Sequence, residues 1–119
     1  DVVHLVGYIE ANTIQSFYQN AFAYVMPSLN EGFGLPLVEA FTNHLPVICS
    51  KSGALSEIAN GAAMMVDCMK DPADLANAMI TLIEQENIRK SLIDLGANRN
   101  LDFSWGKTTY QISELIQNI

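Results

Sequence analysis

Basic side chains are scarce in this 119-residue chain: 6 Lys and Arg stand against 13 Asp and Glu, a net charge of −7. A surface with that balance repels polyanions, which argues against nucleic acid as a partner. Any phosphate held here has to be met by local devices such as backbone N–H groups and helix ends. Cysteine is rarer still. Cys49 and Cys68 lie in apolar stretches without the spacing of a disulfide framework or a zinc site, so both read as reduced and structural. No run of about 18 apolar residues occurs, and the N-terminus has neither the basic region nor the apolar core of a signal peptide, which points to a cytoplasmic protein. An initiator Met is missing as well. Asp1 leads straight into Val2, Val3, His4, Leu5 and Val6, as expected of a fragment cut from a longer protein.

Half of the residues are hydrophobic and 16% are charged, the make-up of one soluble domain with a core of its own. Residues 2–6 are rich in β-branched side chains, stop at Gly7 and read as a first strand. A helix follows, capped by Asn12 or Thr13, with Ile14, Phe17, Tyr18 and Ala21 on one face. Residues 23–26 read as a second strand, ended by Pro27 and Ser28. Pro36 suits the first turn of the next helix, where its missing N–H costs nothing. Residues 47–49 and 63–66 read as third and fourth strands, with a short helix over residues 55–59 between them, closed by Asn60 and Gly61. From Asp71 and Pro72 onward the pattern is helical. Leu75, Ala76, Met79, Ile80, Leu82 and Ile83 form one apolar face, a second helix runs from Asn87 to about Gly96, and a last one from about Trp105 carries Ile112, Leu115 and Ile116. Trp105 is expected to pack that helix onto the domain, and Met64, Met65, Met69 and Met79 read as core filler. Strand and helix alternate through about four strands, which predicts an α/β, Rossmann-like parallel sheet with right-handed crossovers and helices on both faces.

Ligands of such sheets bind beyond the carboxyl ends of the strands. Two loops leave that edge, residues 28–36 and 50–56. In the first, Gly32 and Gly34 flank Phe33 just before a helix, so the backbone can turn sharply and approach a ligand without Cβ interference. The N–H groups of residues 33–35 then face outward at the positive end of that helix, whose dipole alone favours an anion by roughly 0.3–1 kcal/mol. A tight strand-to-helix turn with no ligand accounts for the same glycines. Glu31 and Glu39 stand eight positions apart on either side of the bend, and carboxylates accept well from sugar and ribose hydroxyls. Singly, Glu39 can be a helix-terminus charge and Glu31 an exposed loop charge. As a pair they also fit a glycoside hydrolase, a reading that leaves the anion-friendly loop unexplained.

The run Pro27-Ser28-Leu29-Asn30-Glu31-Gly32-Phe33-Gly34-Leu35-Pro36-Leu37-Val38-Glu39-Ala40, then Pro46-Val47-Ile48 and Gly53-Ala54-Leu55-Ser56-Glu57, closely resembles a large family. It is the C-terminal domain of the retaining GT-B glycosyltransferases, glycosyltransferase group 1 or family 4, which includes sucrose synthase-like enzymes and bacterial lipopolysaccharide and mannosyl transferases. The likeness covers nearly the whole chain, up to Phe103, Ser104 and Trp105. It implies that residues 1–119 are one partial domain that binds a nucleotide-diphosphate sugar of UDP, GDP or ADP type, cut on its N-terminal side and lacking its acceptor domain. Glu31 then plays the catalytic part of contacting hydroxyls of the transferred sugar. Gly32, Phe33 and Gly34 line sugar and phosphates, Glu39 holds the ribose, and Leu35 and Val38 border base and ribose. Transfer proceeds with retention, with no cofactor and no metal. Association with the inner face of a membrane would run through the missing domain. The family's Arg and Lys for the diphosphate belong to earlier strands than this chain contains, and Lys51 is no obvious substitute, so the fragment alone is expected to be inactive. His44 stands where the family usually has glycine and reads as a helix-end residue; His4 reads as a strand-end residue. The alternatives are a non-catalytic nucleotide-sugar-binding module, and a related epimerase or phosphorylase. Epimerases lack this glutamate spacing, and phosphorylases require a pyridoxal-phosphate lysine that is not identifiable here.

Overall fold

The structure, a computed structural model, describes residues 2–67 and 71–118. Helix α1 (Ala11–Asn20) leads to β1 (Tyr24–Met26), α2 (Leu35–Thr42), β2 (Val47–Ser50), α3 (Leu55–Ala59) and β3 (Met64–Val66). Three helices follow in succession, α4 (Pro72–Glu84), α5 (Glu86–Asn100) and α6 (Trp105–Gln117). The sheet runs β1-β2-β3 with every pair parallel; Val25 stands opposite Ile48, and Ile48 opposite Met64. The α/β architecture is as expected, with three strands among the described residues in place of about four.

The missing strand is the first. Residues 2–6 form no strand and are exposed, Leu5 to 96%. An apolar run becomes a strand only where a neighbour takes its backbone hydrogen bonds and a layer covers its side chains. No described strand lies beside it, and His4 therefore ends none.

Side chains alternate across the sheet and build two cores. Tyr24, Met26, Val47, Cys49 and Met65 point to one face, under α1, α2 and α3, where Tyr18, Leu37, Ala40, Phe41, Leu55 and Ile58 close over them. Val25, Ile48, Met64 and Val66 point to the other, under Leu75, Ala78 and Leu82 of α4 and Ile88 and Leu92 of α5. Each fully buried Leu, Ile or Phe contributes roughly 1.5–3 kcal/mol, so β2, buried along its whole length, holds both layers together. Burial raises the Cys49 thiol to about 11, consistent with a structural role. Cys68 and Met69 lie outside the described residues.

The helical faces differ from the sequence pattern in several places. In α1, Tyr18 is the buried residue, while Ile14 and Phe17 remain partly exposed. The N-cap of α1 is Glu10, without a side-chain cap, in place of Asn12 or Thr13. The buried line of α4 is Ala78 and Leu82, while Met79, Ile80 and Ile83 remain exposed. Met79 is thus not core filler, whereas Met64 and Met65 pack against the cores. Helix α5 does not stop at Gly96. It continues to Asn100, and at Gly96 Phe41 of α2 packs against its backbone, where a Cβ would stand 2.7 Å from the ring. Helix α6 begins where expected, with Ser104 accepting from the Lys107 N–H at 3.1 Å, but buries nothing, and Trp105 is 86% exposed. The radius of gyration is 16.0 Å, against about 13.5 Å for a compact chain of this length. Among the described residues no helix is long and apolar enough to cross a membrane.

His44 follows the end of α2 at φ 56°, the left-handed region, with its N–H donated to the Phe41 carbonyl at 3.0 Å. The histidine is exposed and serves the turn. Replacing it with glycine removes roughly 1–2 kcal/mol of left-handed strain, partly offset by about 0.4–1 kcal/mol of extra freedom in the unfolded chain. His44→Gly is expected to stabilise the fold by about 0.5–1 kcal/mol in urea unfolding; a lower midpoint would contradict this account of the turn.

Candidate functional site

Both unusual loops leave carboxyl ends of neighbouring parallel strands, and the structure joins them. The Ser50 hydroxyl, from a residue 2% exposed, donates to the carbonyl of Ser28. Two residues on, the Ser52 hydroxyl donates to the carbonyl of Leu29. The Ala54 N–H reaches the Glu31 carbonyl at 3.4 Å. Gly53 makes this approach possible: it sits at φ 51°, and a Cβ would lie 2.6 Å from Asn30 Oδ1 and 3.1 Å from the Glu31 carbonyl oxygen. The loop after β2 is a buttress for the loop after β1.

Gly34, at φ 96° and buried, is the N-cap of α2. A Cβ on it would stand 2.6 Å from Leu55 Cδ2, so the turn lies directly on α3. No side chain caps α2 and its first turn holds no acidic residue, so nothing on the helix itself neutralises the positive end of its dipole. Among the described residues, the N–H groups of residues 32–35 donate no hydrogen bond to the backbone or to a side chain. Phe33 stands beside this opening with its ring edge-on to Phe103, centroids 5.9 Å apart. The Arg99 guanidinium lies over the Phe103 ring at 4.7 Å, while its Nε and Nη2 donate to the Ile58 and Glu57 carbonyls at the end of α3. A brace of three side chains thus runs from α5 to the glycine turn. Nothing in the sequence pattern singled out Arg99.

The glutamates flank this turn. Glu31 is half-buried beside the seam between the loops. Glu39 lies in the second turn of α2, too far along to be a first-turn charge, and its Oε2 accepts from the Tyr18 hydroxyl at 2.9 Å. Both carboxylates act on Tyr24. Its hydroxyl is raised above its ordinary pKa first by burial, then by the negative fields of Glu39 and Glu31, against a lowering contribution from Tyr18. Glu39 is thus paired directly with Tyr18, while Glu31 reaches the tyrosines only through its field at Tyr24. Val38 packs against the first core, and Leu35 is exposed at the head of α2. A cavity of about 320 Å³, bordered by Tyr18, Tyr24, Pro36, Glu39 and apolar residues of α1, opens beside Glu39. Sequence reasoning placed Tyr18 on an apolar face. Its phenol was the available signal, since a buried tyrosine usually finds a partner for its O–H. Among the described residues, no three His, Cys, Asp or Glu cluster as a metal site.

The glycines separate by what surrounds them. Gly34→Ala and Gly53→Ala each combine positive φ with a close contact, and each is expected to cost about 1–3 kcal/mol in urea unfolding. Gly32→Ala, with no heavy atom within 4 Å of the added Cβ, is expected to stay within about 0.5 kcal/mol of the parent. Equal losses at all three positions would refute this division.

The profile of the family described as Glycosyl transferases group 1 matches residues 1–117. An uncharacterized glycosyltransferase of Methanocaldococcus jannaschii is 30% identical over 118 residues, which are 98% of this chain and 34% of that protein. Sucrose-phosphate synthase from Thermosynechococcus elongatus superposes with a TM-score of 0.82 at 28% identity, over 95% of this chain and 29% of that one. The C-terminal domain of a glycosyl transferase group 1 family protein from Francisella tularensis superposes with a TM-score of 0.68 at 31% identity, over 79% of this chain and 49% of that one. The chain thus spans about a third of the length of the Methanocaldococcus relative. With a profile match along almost all of its length and a fold shared with GT-B glycosyltransferases, this chain belongs to the glycosyl transferases group 1 family.

Proposed function

We propose that residues 1–119 are the donor-binding part of a retaining, family 4 type glycosyltransferase. It takes a nucleotide-diphosphate sugar, and a separate domain of the same protein supplies the acceptor. The observation that carries this reading is the uncapped start of α2, reached through a glycine turn and flanked by Glu31 and Glu39. The diphosphate is an anion, and the N–H groups of residues 33–35 with the helix dipole suit it where the chain has few cations. Lys51 is the one basic residue in the two loops. Glu31 accepts from hydroxyls of the transferred sugar, Glu39 from the ribose, and Leu35 and Val38 border ribose and base. Retention requires the departing diphosphate and the incoming acceptor to occupy the same face of the sugar, so a preorganised anion site serves the transition state as well as binding. The isolated chain recognises a donor and does not use it.

Titration of the chain with UDP, GDP and ADP, followed by amide NMR, tests the reading. One of them is expected to shift the resonances of Phe33, Gly34, Leu35 and Glu39, and Gly34→Ala to abolish those shifts. The absence of any shift at these positions with all three would overturn it.

A further inference from the structure

A glutamate in the second turn of a helix has several rotamers open to it and loses entropy when one is imposed. In Glu39 one is chosen by a neighbour from another element. Tyr18 of α1 donates to Oε2 at 2.9 Å, and Tyr18 is itself fixed: 7% exposed, with its ring 5.7 Å from that of Tyr24 at 41°. The helix that carries it is tied to the far end of α2 by the hydrogen bond from Gln15 Nε2 to Asn43 Oδ1, 2.6 Å. Burial above all, then the bond to Glu39, raises the Tyr18 hydroxyl above the ordinary tyrosine value, so it stays a protonated donor. Among the described residues no hydrogen bond reaches the other oxygen, Oε1, and the cavity opens beside this carboxylate.

We propose that Tyr18 is a positioning residue for donor binding: by occupying Oε2 of Glu39 it turns Oε1 toward the ribose hydroxyls of the nucleotide. The proposal rests on the donor-binding reading above. A tyrosine that served only to fill space between α1 and α2 would affect every ligand of the loop alike. A tyrosine that aims Glu39 affects only ligands that carry the ribose diol, since the pyrophosphate meets α2 elsewhere.

The test uses UDP, GDP and ADP and their 2′,3′-dideoxy counterparts, with dissociation constants measured for the parent chain, Tyr18→Phe, Glu39→Gln and the double variant. For the nucleotide that binds, Tyr18→Phe is expected to weaken the ribose form roughly 3- to 10-fold, the range of one hydrogen bond. It should leave the dideoxy form unchanged and add nothing in the Glu39→Gln background. Equal weakening of both forms, or no weakening of either, overturns the proposal. If Tyr18→Phe does not fold, the parent chain decides. Its Tyr18 ring resonances should move with the ribose form and stay still with the dideoxy form, and identical movement with both overturns the proposal. If the parent binds none of the nucleotides, the donor-binding reading falls and this proposal with it; binding with an unchanged Tyr18→Phe removes this proposal alone.

Discussion

Two serine hydroxyls crossing from one loop to the carbonyls of another are what the candidate site depends on. Ser50 and Ser52 satisfy the carbonyls of Ser28 and Leu29 just beyond the carboxyl ends of β2 and β1. The bond from Ser50 is partly buried, where a carbonyl without a partner is costly, so the position of the first loop follows from that of the second. The second is in turn set by β2, which is buried on both faces and sits between β1 and β3. The seam closes to a few ångströms only because residue 53 has no side chain. In this way the rigidity of a small parallel sheet is passed to a loop whose own sequence, rich in glycine, would otherwise leave it free.

Helix α2 is the second determinant, and each part of it does different work. Its first residue opens onto the glycine turn with unpaired N–H groups, its second turn offers Glu39 to Tyr18, and its last turn places Phe41 against the bare backbone at Gly96. Packing at both ends of the helix fixes where its first turn begins. The first-turn N–H groups of α2 have no partner among the described residues, and this is the feature that the proposed anion site uses. The turn at His44 shows the same priority, since the chain accepts a left-handed histidine in order to leave α2 and enter β2 within a few residues.

Much of the fold could be read from the order of residues. The α/β class, the short helix from Leu55 to Ala59, the strand after Pro46 and the starts of α4 at Pro72 and α6 at Trp105 follow from local rules of capping, β-branching and proline placement. Local pattern and structure part where the role of a segment depends on a neighbour. Residues 2–6 have strand composition and, among the described residues, no strand to pair with; Trp105 and Ile112 have core composition and stay exposed. Gly96 has the look of a helix end and is a contact point instead.

For the site, the sequence by itself determined the chemistry: two carboxylates, a glycine turn and a helix start within nine residues, with too few cations nearby to hold a phosphate by charge alone. These are short-range properties, fixed by what each residue can donate, accept or permit along the backbone. Only the tertiary structure decided how they are arranged. It stitched the two loops together and gave Glu39 a partner 21 positions away in Tyr18. Such pairs come from the crossing of helices over a sheet, and spacing along the chain carries no record of which side chains that crossing will bring within hydrogen-bonding distance.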